Sequence, residues 1–135
     1  CRDMPYPPKK FYKKMAKLRS EDTHNLNLGK AGEKQARKYL KRLGWKIIGK
    51  NYKNPFGEID IIAKKDDVYA FVEVKTRLSD DFGAPSEAVT ESRKRRYIMG
   101  ANYFFSGQVI DCTVRFDIIE IFKGELNHIE NAFSA

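Results

Sequence analysis

Cysteine is close to absent from this chain of 135 residues, which carries Cys1 and Cys112 and no other thiol. Two cysteines so placed build no disulfide framework, and a reducing cytoplasm is the expected compartment. Histidine is equally scarce: His24 and His128 lie far apart at no metal-ligand spacing, which argues against a zinc site. No apolar run approaches the roughly 20 residues that cross a bilayer. The N-terminal region also lacks the continuous apolar stretch of a secretory signal, so no membrane role is expected. Neither a Walker-type glycine loop nor a nucleophile elbow is present, and no internal repeat is visible.

What is present suits a packed globule. Hydrophobic residues make up 41% and aromatics 13% of the chain, enough for one domain to bury roughly two-thirds of its unfolded surface without staples. The formal charge of +8 and pI of about 9.5 invite a nucleic-acid partner, but the charge is unevenly placed. Residues 1–20 hold Arg2, Lys9, Lys10, Lys13, Lys14, Lys17 and Arg19 against Asp3, a net of +6, which leaves +2 for the other 115 residues. This basic head, with Pro5, Pro7 and Pro8, reads as a flexible arm over 1–25, ahead of a single domain over 26–135. Met15 is a plausible initiator inside it.

Periodicity divides the domain. From about Leu26 to Leu43 the pattern is helical, with Gly32, Ala36, Tyr39, Leu40 and Leu43 on one stripe and Lys34, Lys38, Lys41 and Arg42 opposite. Gly44 is a natural stop. Trp45–Tyr52 reads as a strand, Asn54-Pro55-Phe56-Gly57 as a turn, Glu58–Lys64 as a second strand and Val68–Thr76 as a third beyond Asp66-Asp67. Leu78–Pro85 reads as loop and Ser86 to about Phe105 as a second helix with Val89, Tyr97, Gly100 and Phe104 inward. Arg115–Phe122 is a strongly apolar strand. The order is α-β-β-β-α-β, and the pattern leaves open a last edge strand over Leu126–Phe133.

The chemistry concentrates in Gly57-Glu58-Ile59-Asp60 and Glu73-Val74-Lys75. Strands adjacent in sequence tend to pair, which would bring Asp60, Glu73 and Lys75 together. Alternation puts Tyr69, Phe71, Glu73 and Lys75 on one face of the third strand and Val68, Ala70, Val72 and Val74 on the other. Carboxylates beside aromatics are costly to bury unless paired or bound to a cation. Two carboxylates and an ammonium on neighbouring strands can hold a divalent ion and position a water for attack on a phosphodiester. From spacing alone, a Glu73–Lys75 or Asp60–Lys75 ion pair accounts for them equally well. Glu33 sits beside Leu40 at the border of the helical stripe, where it either leans toward the sheet as a third carboxylate or pairs with Arg37 on the surface. Arg93 falls on the apolar side of the second helix, placed to grip a phosphate. Its neighbours Lys94, Arg95 and Arg96 fan around the helix axis and form no single basic surface. Cys112 and Trp45 are most simply core residues.

In combination these residues resemble a known family. Gly32-Glu33 with Ala36 and Tyr39-Leu40, Asn51-Tyr52, Gly57 to Ile62, Phe71 to Arg77, Gly83 with Glu87-Ala88-Val89, Arg115-Phe116-Asp117 and Asn131-Ala132-Phe133 are similar to the YraN-like proteins, uncharacterised protein family 0102. The resemblance spans roughly Leu26 to Phe133. It implies an α/β fold with a restriction-endonuclease-like core of the PD-(D/E)xK class, a mixed central sheet flanked by helices, similar to archaeal Holliday junction resolvases. The family's helix Glu maps to Glu33, its hairpin Asp to Asp60 and its Glu-x-Lys pair to Glu73 and Lys75. Ile59 stands before Asp60 where the class motif has Pro, and Arg93 stands where family members usually carry Lys.

The resulting expectation is a Mg2+- or Mn2+-dependent nuclease acting on DNA, branched or otherwise structured. Asp60, Glu73 and the Val74 carbonyl would hold the metal, Lys75 would orient or deprotonate the attacking water, and Glu33 would support the metal. Arg77, Arg93 and Arg96 would contact phosphates. A homodimer is expected from the likeness to resolvases. Two alternatives stand beside it: a nucleic-acid-binding module that keeps the fold without chemistry, and a scaffold in which Asp60, Glu73 and Lys75 form an ion-pair network.

Overall fold

Among the described residues the polar and apolar pattern is realised as two helices and five strands. The computed structural model describes residues 20–77, 90–108 and 111–134. In chain order these form α1 (Ser20–Arg42), β1 (Lys46–Asn54), β2 (Gly57–Lys65), β3 (Val68–Arg77), α2 (Glu91–Phe105), β4 (Thr113–Phe122) and β5 (Glu125–Phe133). The strand left open by the sequence is present, as β5. Most of the basic head, the expected loop at 78–85 and the segment 86–89 with Glu87-Ala88-Val89 lie outside the described residues.

Helix α1 starts at Ser20, six residues before the predicted Leu26. The run Ser20–Asn25 is polar throughout and offers no apolar stripe to read. At the other end Leu43 is 44% exposed rather than part of the buried stripe, because the helix ends at Arg42 and Leu43 lies in the turn beyond it. Gly44 follows with φ of 96°, a conformation that glycine adopts without strain. Helix α2 is capped by Thr90, whose hydroxyl accepts the Arg93 N–H at 3.2 Å.

The sheet order is β1-β2-β3-β4-β5. Strands β1, β2 and β3 form an antiparallel meander, and β4 and β5 pair antiparallel. Between these two units β3 and β4 run parallel, in register from Val68 opposite Thr113 to Arg77 opposite Phe122. A parallel pair needs a long crossover, and the chain between these strands carries α2. The mixed sheet is covered on both faces. Ala36, Leu40 and Trp45 pack with Ile61, Ala70, Val72 and Ile119 on the α1 side, while Tyr97 and Ala101 pack with Ile62, Phe71, Phe116 and Ile118 on the α2 side. Phe71 and Val72, neighbours in β3, are therefore both fully buried. Among the described residues no helix is long and apolar enough to cross a membrane.

Candidate functional site

Strands β2 and β3 stop pairing at Ile61 opposite Val72. Beyond that point side chains replace the ladder. The Asp60 N–H donates to the Tyr97 hydroxyl at 3.2 Å, the hydroxyl donates to the Val72 carbonyl at 3.4 Å, and the Val74 N–H donates to Asp60 Oδ2 at 2.9 Å. The two strands are thus held apart, with Asp60 fixed by its own backbone and its carboxylate at once. The splayed end opens a cavity of about 340 Å³ lined by Glu33, Glu58, Asp60, Glu73, Val74, Arg93, Arg96 and Tyr97.

Four carboxylates face this space against two guanidinium groups. Burial pushes the Asp60 carboxyl up to about 7 from its ordinary 3.8, against the pull of the Val74 N–H, and the charges of Glu33, Glu73 and Glu58 add to the rise. Tyr97 is driven well above the usual phenol range, first by burial and then by the charges of Asp60 and Glu73, so its hydroxyl keeps its proton. Glu73 is 2% exposed and forms an ion pair with Arg93 through Oε1, while its Oε2 is buried without a hydrogen-bond partner among the described residues. A buried carboxylate oxygen left unpaired is costly. Asn51 ties two of the other acids together, donating from Nδ2 to Glu33 at 2.9 Å and to Glu58 at 3.4 Å.

The structure gathers Glu33, Asp60, Glu73, Val74, Arg93 and Arg96 around one space. Lys75 and Arg77, further along β3, are not among the described residues that line it. Lys75 is half-buried, and its side chain makes no hydrogen bond or ion pair among the described residues. The cation that meets Glu73 is Arg93 rather than Lys75, so the cross-strand pairs considered from spacing do not form. Glu33 is likewise committed to Asn51. Among the described residues no three His, Cys, Asp or Glu side chains are grouped to hold a metal ion. The acids line the walls of the cavity without closing on one point.

Three site residues escaped the sequence reading in their roles. Asn51 is a poor strand former among other polar residues of β1 and gives no signal of its own; its φ of 48° is one that asparagine tolerates. Glu58 shares its strand face with Asp60. Tyr97 looked like a core aromatic, which it also is; only the position where β2 and β3 part reveals the use of its hydroxyl.

A second polar cluster explains two motifs at the chain's end. Asp117, fully buried, accepts from Arg115 at 3.0 and 2.8 Å and from the Asn131 N–H at 2.9 Å, and it lies 2.7 Å from His128 Nε2. Burial alone would raise its pKa, but the bonds from His128, Arg115 and Asn131 outweigh burial and hold it below the ordinary value. The other ring nitrogen of His128 meets the Tyr39 hydroxyl at 3.0 Å. Arg115 also lies over the Trp45 ring, which is buried as expected. Cys112, expected in the core, is half-buried just ahead of β4.

Comparison with known proteins bears on the same segments. Residues 32–121 match the model of Uncharacterised protein family UPF0102. A UPF0102 protein of Thermodesulfovibrio yellowstonii is 46% identical over 108 residues, covering 80% of this chain and 96% of that protein. One from Caldicellulosiruptor saccharolyticus is 42% identical over 113 residues, covering 78% and 96% respectively. A third, from Clostridium perfringens, is 41% identical over 117 residues, covering 82% and 96%.

Proposed function

Starting from a chain that belongs to Uncharacterised protein family UPF0102, and from the acidic cleft its side chains build, we propose a metal-dependent nuclease with a restriction-endonuclease-like core that hydrolyses DNA phosphodiesters. The observation that carries this reading is the splayed end of β2 and β3, where Glu33, Glu58, Asp60 and Glu73 share one cavity with Arg93 and Arg96. Carboxylates crowded against their own repulsion call for a cation, and arginines beside them suit a phosphate.

The donor set fits Mg2+ or Mn2+. Asp60 and Glu73 supply hard oxygen ligands on adjacent strands, the Val74 carbonyl is at hand, and Glu73 Oε2 is a buried acceptor in want of a partner. Such a cation, when bound, neutralises phosphate charge and acidifies the attacking water. Glu33 and Glu58, held by Asn51, keep the outer wall of the cleft negative. Lys75 has no competing partner among the described residues and is assigned to orient the water. Arg96 and Arg77 are assigned to flanking phosphates, on DNA of branched or otherwise irregular form. The protein acts as a homodimer in this reading, since a domain of nearly balanced charge grips a polyanion weakly on its own.

The test is a cleavage screen of single-stranded, duplex, flap and four-way-junction DNA with Mg2+ or Mn2+. Cutting that disappears in Asp60→Ala and in EDTA supports the proposal, and intact DNA under every condition refutes it. One observation favours a second reading, a DNA-binding module without chemistry: Arg93 already occupies Glu73. In that case binding persists in EDTA and weakens steeply with salt, while no metal brings about a cut.

A further inference from the structure

We infer that Arg93 is the exchangeable counter-ion of Glu73: its guanidinium and a divalent cation compete for one carboxylate, and the cation's arrival frees the guanidinium for a phosphate. The inference rests on the metal-site reading above and deepens it by assigning the site a resting state and a trigger.

The two partners of this ion pair are unequal. Glu73 is fixed on β3 with its side chain 3% exposed, whereas the Arg93 side chain is 39% exposed and reaches in from α2. A carboxylate this deep needs a positive partner. Arg93 supplies it through Oε1 alone, and Oε2 stays buried without a partner among the described residues. A guanidinium that satisfied the carboxylate fully would engage both oxygens in the bidentate fork that arginine favours. The pairing is therefore incomplete, and its more exposed half lies on the solvent side.

Arg93 is also anchored independently of Glu73. Its backbone N–H is held by the Thr90 hydroxyl at the start of α2, so releasing the side chain leaves the helix terminus intact. Once off Glu73, the guanidinium remains in the cleft it already lines, with Arg96 one helical turn further on. Two arginines at the mouth of a cavity where a cation offsets Asp60 and Glu73 form a phosphate site. The same cavity without the cation, with Arg93 held on Glu73, does not. Metal and phosphate then bind in that order by charge alone, and the resting protein is protected from leaving Glu73 bare.

Competition has a measurable signature. A site blocked by an internal ligand shows an affinity reduced by the fraction of time it is open, so Arg93→Gln is expected to bind Mg2+ about tenfold more tightly, or better, than the parent chain. Isothermal titration of the full chain with MgCl2, without DNA, reads this directly. Melting curves give a second reading: the metal-free variant melts lower, and Mg2+ raises its Tm by more than it raises the parent's. Equal or weaker Mg2+ binding by Arg93→Gln overturns the inference. Should that variant not fold, the Arg93 side-chain NH resonances of the parent chain decide, since exchange shifts them on Mg2+ addition and an unmoved signal refutes it. The readout is independent of cleavage. Exchange without cutting sustains the inference while refuting the nuclease, and no Mg2+ binding by either protein overturns the inference and the metal site together.

Discussion

Replacing Asp60 with Asn is expected to stabilise the metal-free protein near pH 8. Asp60 is held up to about 7 by burial, with the charges of Glu33, Glu73 and Glu58 adding to it. Its folded pKa thus lies above its unfolded one, so below about pH 3.8 the group is protonated in both states and costs nothing. Between pH 3.8 and about 7 the folded protein keeps a proton that the unfolded chain releases, and stability falls as pH rises. Above about pH 7 the full cost is present: about three pH units at roughly 1.4 kcal/mol each, on the order of 4 kcal/mol as an upper value. Water entering the open cleft lowers this, and a gain of about 2 kcal/mol is the working figure. Asparagine keeps an oxygen for the Val74 N–H and removes the charge. For a chain of this length 2 kcal/mol corresponds to roughly 6–10 °C in Tm. Melting curves of both proteins at pH 5 and pH 8 in EDTA provide the assay. The gain should be large at pH 8 and shrink by about half or more at pH 5, while Mg2+ stabilises only the parent. A variant that melts with or below the parent at pH 8 would refute the electrostatic account of the cleft.

Three other changes probe one support of the site and two contacts elsewhere in the fold. Tyr97→Phe keeps the ring but removes the hydroxyl that bridges Asp60 and Val72, with an expected cost of about 1–2 kcal/mol in urea unfolding and weaker Mg2+ binding; unchanged Mg2+ affinity would deny the hydroxyl a part in positioning Asp60. Asp117→Ala strands Arg115 and His128 and should cost at least 3 kcal/mol in urea unfolding. Because the folded pKa of Asp117 is depressed, its contribution is present above the unfolded value and lost as pH falls through the folded one, so the variant's deficit should narrow in acid; a deficit constant with pH would contradict this. A side chain at Gly32 would fall on Thr76 Oγ1. Gly32→Ala should therefore cost about 1–3 kcal/mol, and adding Thr76→Ala should recover much of it; additive losses in the double variant would exclude that contact as the cause.

The fold was legible wherever period and punctuation agreed. The alternation in β3, the Asp66-Asp67 turn and the stripe Gly32, Ala36, Leu40 in α1 each depend on a local pattern, and each is found close to where it was read. What could not be read was decided by tertiary geometry. Leu43 continues the apolar stripe in sequence, yet it lies past the helix end. The cation for Glu73 follows the same logic. Lys75 is two residues away and belongs to a motif, so sequence distance favours it. Arg93 is twenty residues away, but α2 packs over β2 and brings its guanidinium onto the carboxylate. Three of the four cleft acids, Glu33, Asp60 and Glu73, were found from sequence because each stands out as charge within an apolar strand or at the edge of a helical stripe; Glu58, beside the turn at the start of β2, did not. Their supports were not, because Asn51 and Tyr97 carry no such contrast and gain a role only where β2 and β3 cease to pair. A motif therefore identifies charges that are expensive to bury, and the packing of a separate helix decides which cation offsets them.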